Sequence, residues 1–545
     1  MKIYRFFHFI FVCLMYLSIL IASARSAEAE QLTAFSTGLF AGSGVCAQCH
    51  SLLYDESRAD VSIDSHWRST MMANASKDPF WRAKVASEVT RNPKLRSIIE
   101  DKCATCHMPM ARTHAKFEGS AVEIAGKGYL NELNSFHEIA MDGVSCTLCH
   151  QIQDSNLGAR ESFSGNYKID PSAKRPYRYI FGPYRDPFGN PMRNMAGFTP
   201  AHSSHISTSE LCATCHTLFT PVVDTSGNVV GEFPEQTPYL EWKHSAYGSG
   251  GNLGKSCEQC HMPQVRGSVV ISNRPGRLAP RSPFSKHFFV GGNAFMLTIL
   301  KAHLSDLGVT ASKDQLDLTT KRTTNQLTQQ TAEITIETVH MRNTRLEVKV
   351  RIRNKAGHKF PTGFPSRRAW IHFIAHDAGG KVILESGGFT PSGAITGNSS
   401  DSDRKGYERH YDIIDSSDKV QIYEGVMKNP DGAITYTLLE SEDFIKDNRL
   451  LPKGFNKDSA NSLVAVKGLA SNDEDFAEGS DSIAYLVETS GFQSPYTLKA
   501  ELLFQTVSYR FLRDLFDNEK GNVIVEDLYR LNTPVIISKA ERRYE

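Results

Sequence analysis

The pentapeptide Cys-x-x-Cys-His constrains this chain more than any other feature, because it occurs five times in the first half. The copies span residues 46–50, 103–107, 146–150, 212–216 and 257–261. The chain has eleven cysteines; ten lie in these copies, and the eleventh, Cys13, lies in a segment that we expect to be removed. In this pattern the two thiols attach a haem covalently, and the histidine binds its iron. We therefore predict five covalently bound haem c groups.

The predicted haem-binding residues form two groups. The cysteines that form the thioether bonds are Cys46, Cys49, Cys103, Cys106, Cys146, Cys149, Cys212, Cys215, Cys257 and Cys260. The proximal iron ligands are His50, His107, His150, His216 and His261. Zinc ribbons also use Cys-x-x-Cys pairs, but they do not require a histidine after every second cysteine. A thioredoxin-like motif would occur once, and a disulfide framework gives no reason for the fixed spacing.

Residues 1–29 have the plan of a secretory signal peptide. Lys2 and Arg5 precede an apolar run from Phe6 to about Ala22, and small residues follow it. A retained membrane anchor is the alternative, although the run is near the lower length limit for a spanning helix. No second long apolar run follows, so we expect no membrane span after signal removal. Export to the periplasm or the cell surface agrees with haem attachment outside the cytoplasm.

Length and charge limit the architecture and the partners. The 61 basic and 60 acidic residues nearly balance, so nothing indicates binding to nucleic acid or to an anionic membrane. We expect redox partner proteins, with self-assembly of the chain as a further option. A chain of 545 residues is too long for one ordinary core. The cysteine distribution predicts a pentahaem domain over 30–300, a connector over 301–330 and a third region over 331–545.

Histidines outside the motifs are the candidates for the sixth ligand of each iron. A histidine there gives a low-potential carrier, a methionine raises the potential, and an empty position can bind substrate. The predicted distal ligands are His66, His114, His137, His205 and His287. His202 is the alternative to His205, and His244 is the weakest candidate. The supply of histidines is sufficient for every iron to be six-coordinate.

The first half is expected to contain short helices and long irregular connections, with the haems themselves as its core. Several motif histidines should end short helices. The clearest helical stretch runs over 83–100 and is broken near Pro93.

The first half resembles the multihaem cytochrome c superfamily that includes the tetrahaem cytochrome c of the hydroxylamine pathway. The resemblance rests on the first motif with His66, on the string 142–150 preceded by His137, and on His287 with its Gly-Gly. It implies closely packed haems in parallel and perpendicular pairs, most of them with two histidine ligands. This chain differs in having five motifs and a large C-terminal extension.

The second half carries the patterns of β-strands. Apolar and charged residues alternate over 346–353, which predicts a half-buried strand. The segments 369–375 and 381–384 flank a turn sequence, which indicates a hairpin, and 483–487 and 497–504 repeat the strand pattern. The fold class is therefore α+β and multidomain, with a mostly helical, haem-packed N-terminal domain followed by an antiparallel β-sandwich domain.

The loop 357–368 stands out in this half because glycine, proline, His358 and two arginines occur together. Its apolar residues are suited to docking on the haem half. Arg367 or Arg368 is suited to pairing with a haem propionate. The simpler interpretation is a proline-stiffened connection between strands, and His358 lies far in sequence from any motif.

Two functions fit these patterns. The favoured one is an electron carrier with mostly bis-histidine haems, in which no substrate binds iron. The alternative is an oxidoreductase that acts on a small nitrogen or sulfur compound at one open haem. The sequence favours the carrier, because all five motifs end in histidine and further histidines are abundant. A structural or partner-binding role for the second half is a third option.

Overall fold

The computed structural model describes residues 31–224, 226–248, 250–517 and 521–545. The predicted signal peptide over 1–29, including Cys13, lies outside these residues. Helices and antiparallel sheets both occur, which confirms the α+β composition predicted from the sequence. Across these ranges, every helix is too short or too polar to cross a bilayer.

Short helices joined by irregular segments make up most of the first half, as the sequence predicts. In chain order they are α1 (Ser43–His50), α2 (Ile63–Trp67), α3 (Pro79–Arg91), α4 (Arg96–His107), α5 (Pro109–Phe117), α6 (His137–Met141), α7 (Cys146–Cys149), α8 (Gly189–Ala196), α9 (Ser209–His216), α10 (Pro238–Lys243), α11 (Cys257–His261), α12 (Ala294–Ala302) and α13 (Leu304–Leu307). Two small ribbons that the sequence analysis did not predict lie among them. They pair β1 (Tyr179–Gly182) with β2 (Thr199–His202), and β3 (Leu218–Val223) with β4 (Val229–Gln236).

The break that the sequence predicts near Pro93 separates α3 from α4. A 3-10 turn, Pro93–Leu95, stands between the two helices, because proline lacks the N–H that would continue α3. The carboxylate of Asp78 caps the start of α3. It accepts the N–H groups of Phe80 at 2.9 Å and Trp81 at 3.2 Å. Asp78 and Trp81 are thereby fixed beside the second motif.

The first half also has an apolar core, which the sequence analysis did not expect. Trp81, Ile99, Met110 and Leu148 are among its buried side chains. Conventional side-chain packing therefore stabilises the helices that carry motifs.

The segment 301–330, predicted as a connector, is packed and largely helical. Its main helix is α14 (Lys313–Gln326), which a capping box from Ser312 begins, and a π-helical turn leads directly into the first strand of the second half. The hydroxyls of Ser69 and Thr319 lie 2.6 Å apart, and Arg322 lies over the ring of Phe288 at 3.8 Å. The connector is thus fastened to the first half.

The second half is built mainly from two sheets. Its strands are β5 (Ala332–Arg342), β6 (Arg345–Asn354), β7 (Arg368–His376), β8 (Val382–Ser386), β9 (Ile413–Ile414), β10 (Ile422–Lys428), β11 (Asp443–Asp447), β12 (Ser480–Glu488), β13 (Tyr496–Gln505) and β14 (Val535–Tyr544). One sheet has the order β5-β6-β12-β9. The other has the order β11-β10-β7-β13-β14, with β8 paired to β7. Two helices, α15 (Tyr509–Phe516) and α16 (Val523–Arg530), precede β14.

The two sheets share one apolar core. Alternation in β6 buries Leu346 and Val348, and their neighbours come from β7, β12 and β13. The rings of Phe373 on β7 and Tyr485 on β12 stack 4.0 Å apart, so one side chain from each sheet meets in this core. The predicted hairpin is the pair β7 and β8.

Helix α3 joins the two halves. Lys84 donates to the carbonyl of Tyr436 at 2.7 Å, and Glu88 accepts the N–H of Leu438 at 2.7 Å. Phe80 packs in an apolar cluster that also contains Phe511 of the second half. The second half is therefore in direct contact with α3, whose Trp81 stacks on His107 of the second motif at 4.5 Å.

Candidate functional site

Each Cys-x-x-Cys-His motif lies on a short helix or at its end. Four motif histidines are the last residues of α1, α4, α9 and α11, and His150 directly follows α7. Residues at positions i, i+3 and i+4 of a helix share one face. The two cysteines and the histidine have this spacing, so a single turn directs both thiols and the imidazole to one side.

These faces meet in one cavity of about 1490 Å³. All ten motif cysteines and all five motif histidines line it. A pocket for one drug-sized ligand measures roughly 300–1,000 Å³, so this space exceeds that of a single-ligand site. None of these ten cysteines forms a disulfide. Thiols and imidazoles are the donors that covalently attached haem needs, so the residues fit that group.

Interactions among the motif thiols show which motifs are neighbours. Cys146 of the third motif raises the pKa of Cys46 in the first. Cys106 of the second motif raises the pKa of Cys215 in the fourth, and Cys257 of the fifth raises the pKa of Cys212 in the fourth. Cys149 of the third motif also acts on both cysteines of the fourth, so these interactions link all five motifs in an order that differs from their order in sequence.

The backbone orients most of the motif histidines. The Nδ1 atoms of His50, His107 and His150 lie 2.8 Å, 3.0 Å and 2.6 Å from carbonyl oxygens, and that of His261 contacts the carbonyl of Val290. A carbonyl only accepts, so Nδ1 carries the proton and Nε2 is left with its lone pair. Burial lowers the pKa of His107 and His261 to about 4, which favours the neutral, metal-binding form.

Two further histidines of the cavity wall face motif histidines. The ring centroids of His150 and His287 are 6.4 Å apart with planes at 21°, and those of His261 and His358 are 6.3 Å apart with planes at 9°. A metal–imidazole bond is about 2 Å and a ring nitrogen lies about 1.2 Å from its centroid, so two ligands on opposite sides of one metal have centroids about 6.4 Å apart. Both pairs have this separation. The sequence analysis proposed His287 as a ligand and considered His358 only as a loop histidine far in sequence from any motif.

The other predicted distal ligands lie outside the cavity wall. His66 is buried against Phe288, at 4.5 Å between ring centroids. His114 pairs with Glu118 at 3.2 Å, and Nδ1 of His137 lies 2.8 Å from a carbonyl oxygen. The roles of these three histidines stay predictions.

His205 is held by protein groups at both ring nitrogens. Its Nδ1 lies 2.6 Å from the hydroxyl of Ser203, and its Nε2 lies 2.8 Å from the carbonyl of Ile152. A ligand needs one free nitrogen, so this geometry does not support the assignment of His205 to an iron. Its alternative, His202, is exposed.

Two ionisable residues, Asp78 and Arg367, also line the cavity. Burial raises the pKa of Asp78 to about 6, and the guanidinium of Arg367 acts in the opposite direction. Burial lowers the pKa of Arg367 to about 10, and Arg367 also lowers the pKa of His216, for which burial is the larger cause. Arg368 does not reach the cavity wall, because Asp401 binds its guanidinium at 2.7 and 2.9 Å inside the second half. Of the two arginines considered for a propionate, only Arg367 is available.

Comparison with family models gave no match, and comparison with curated proteins gave none. Among solved structures, the chain is similar to the crystal structure of a penta-heme cytochrome c552 from Thermochromatium tepidum. The TM-score is 0.51 and the sequence identity 16%, over 92% of this chain and 97% of that chain. This similarity shows that the two chains share a fold. With 92% of the chain covered, it extends beyond the motif half into the sheets.

Proposed function

We propose that this chain is an exported pentahaem c-type cytochrome that carries electrons through closely packed, mostly bis-histidine haems. The observation that carries the proposal is the convergence of all five motifs on one cavity. When bound, haem supplies an iron that alternates between the ferric and ferrous states. The ten motif cysteines would hold the five groups, and the five motif histidines would be their proximal ligands.

The protein residues around these sites favour electron transfer over substrate binding. The backbone carbonyls that accept from His50, His107 and His150 fix each imidazole with Nε2 free. His287 would close the distal side of the third haem, because it faces His150 at the separation expected for two ligands of one metal. The interactions among thiols of different motifs support a continuous array.

Location and partners belong to the same proposal. The signal sequence over 1–29 would direct the chain to the periplasm or the cell surface, where redox partner proteins would exchange electrons with it. The two-sheet second half would be a β-sandwich-like unit, and copies of the chain would be able to assemble. Nearly balanced charge argues against nucleic acid as a partner.

A second candidate is an oxidoreductase that acts on a small nitrogen or sulfur compound at one open haem. Asp78 and Arg367 favour it, because both line the cavity and Arg367 acts electrostatically on His216. A guanidinium binds anions, and a carboxyl with a pKa of about 6 can deliver a proton near neutral pH. Asp78 and Arg367 would hold and protonate a substrate anion in the cavity near the fourth motif if the iron of that haem had no second histidine ligand.

The spectrum of the fully reduced protein before and after addition of carbon monoxide tests both candidates. Mass spectrometry of the same sample counts the covalent haems, and a Cys257→Ser/Cys260→Ser variant should lose one of them. Five haems with no spectral change would support the carrier. A change in about one fifth of the haem signal would favour the enzyme. A chain that matured with its thiols free would contradict both.

A further inference from the structure

We propose that His358, from the second half of the chain, is the sixth ligand of the iron of the haem attached at Cys257 and Cys260. The inference rests on the proposed function, because it needs a haem at the fifth motif. Its geometric basis is the pair formed by His261 and His358, with ring centroids 6.3 Å apart and planes at 9°. Both rings line the cavity. Their separation matches that of His150 and His287, 6.4 Å, within 0.1 Å.

The protonation of the His358 ring agrees with a ligand role. Its Nδ1 lies 2.8 Å from the carbonyl oxygen of Lys359. Because that oxygen can only accept, Nδ1 carries the proton and Nε2 keeps its lone pair. His261 has the same arrangement, with its Nδ1 against the carbonyl of Val290. Each ring of this nearly parallel pair therefore has an Nε2 atom with its lone pair free to bind a metal.

The segment that carries His358 is fixed on both sides. Asn354 donates to the carbonyl of His358 at 2.9 Å, and Phe360 pairs with Leu450 in a β-bridge. Gly357 lies close to the first half, since a Cβ at this position would stand 3.4 Å from the indole of Trp242. The ring of His358 is thus placed by the backbone rather than by a mobile loop.

Buried charges fasten the same segment to the motif half. Lys359 binds Asp447 at 2.7 Å, and Arg449 bridges Asp447 and Glu241 at 2.8 Å each. Glu241 belongs to α10 of the motif half and also accepts the Lys359 N–H at 3.1 Å. We call these four residues, Glu241, Lys359, Asp447 and Arg449, the joint network. It places the residue next to His358 in a defined position relative to the fifth motif.

It follows that the second half completes a haem site rather than serving only as a docking module. An iron with two histidines is low-spin and closed to small ligands, and the fifth iron would reach that state only when the second half is folded against the first. Disruption of the joint network would leave the iron of one haem without its sixth ligand and would not change the other four.

Replacement of His358 in the full-length holoprotein tests the inference. With His358→Ala, mass spectrometry should still find five haems, while about one fifth of the haem becomes high-spin and binds carbon monoxide. Added imidazole should restore the original spectrum by filling the vacated position. His340→Ala is the matched control, because His340 is an exposed histidine on β5 and should change nothing.

The outcomes separate this inference from the proposed function. Five attached haems with a His358→Ala spectrum identical to the wild type would overturn the role of His358 and leave the pentahaem assignment standing. A wild-type chain without haem would instead overturn the proposed function. If the alanine variant fails to fold, His358→Met retains a ligand. It should keep five low-spin haems and raise the potential of one of them. Unchanged potentials of all five haems in the methionine variant would also overturn the inference.

Discussion

Glu241 offers the sharpest test of whether buried charge holds the two halves together. Its side chain is fully buried in the joint network. It accepts hydrogen bonds from the Arg449 guanidinium at 2.8 Å, the Lys359 N–H at 3.1 Å and the Thr362 hydroxyl at 2.6 Å. Glu241→Ala removes these acceptors together. It leaves two cations, Lys359 and Arg449, facing the single carboxylate of Asp447.

The expected loss follows from the partners that remain. Removal of one member of a buried ion pair costs about 3–5 kcal/mol, because the other charge is left uncompensated. Arg449 retains Asp447, whose carboxylate lies 2.8 Å from both its Nε and its Nη2. We therefore expect the lower end of the range, about 3 kcal/mol. Glu241→Gln keeps one acceptor oxygen and should cost less, roughly 1–2 kcal/mol.

The measurement is the urea midpoint of the first unfolding transition of the holoprotein, followed by circular dichroism. Glu232→Gln is the matched control, because Glu232 pairs with Arg160 on the surface with side chains 59% and 45% exposed. An exposed pair contributes about 0–1 kcal/mol, so the control should unfold like the wild type. If Glu241→Ala folds and loses no more stability than the control, the joint network does not hold the halves together.

Two predictions concern polar groups inside the second half. The Tyr423 hydroxyl donates to Asp481 at 2.7 Å, so Tyr423→Phe should lower the free energy of unfolding by about 1–3 kcal/mol. The buried Tyr485 hydroxyl has no partner among the described residues, so Tyr485→Phe should leave the stability unchanged or raise it slightly. Equal losses in the two urea midpoints would contradict this contrast. Burial raises the pKa of Asp481 to about 6, above its ordinary value near 4, so the folded state keeps a proton that the unfolded chain releases. The wild type should therefore lose stability relative to Asp481→Asn as the pH rises from about 4 to 6, by on the order of 3 kcal/mol. Urea midpoints of both proteins at pH 4 and pH 7 check it, and a constant difference between them would show that Asp481 does not titrate in this range.

Features encoded by short spacing were predictable from the sequence. The motif histidines were expected to end short helices, and Pro93 implied the break between α3 and α4. The alternation over 346–353 gave β6, and the turn after His376 gave the hairpin of β7 and β8. In each case the signal lies within one turn or one strand, where the spacing of apolar residues and the turn-forming residues determine the local structure.

Features that depend on distant contacts were missed. Strand β10 has no alternation to detect, since six of its seven residues are buried. The apolar core of the first half is assembled from residues such as Leu39 and Leu148, which no local pattern connects. His358 resembles any loop histidine until the chain brings it to His261. The contacts of His205 with Ser203 and Ile152 could not be read from the sequence either, and its role as a ligand stays a prediction.

There is a physical reason why the joint network consists of charged rather than apolar residues. Apolar packing is tolerant of small shifts, and a buried ion network of this kind adds little net stability over hydrophobic residues of similar volume. The network does fix the orientation of the two halves relative to each other, because Glu241 must accept hydrogen bonds from Arg449, Lys359 and Thr362 at the same time. A metal–nitrogen bond of about 2 Å leaves little freedom for its ligand. Lys359 turns into the network while its neighbour His358 turns to the cavity. With His358 as the proposed ligand, a short segment would couple the placement of the second half to the closure of a haem site at the fifth motif.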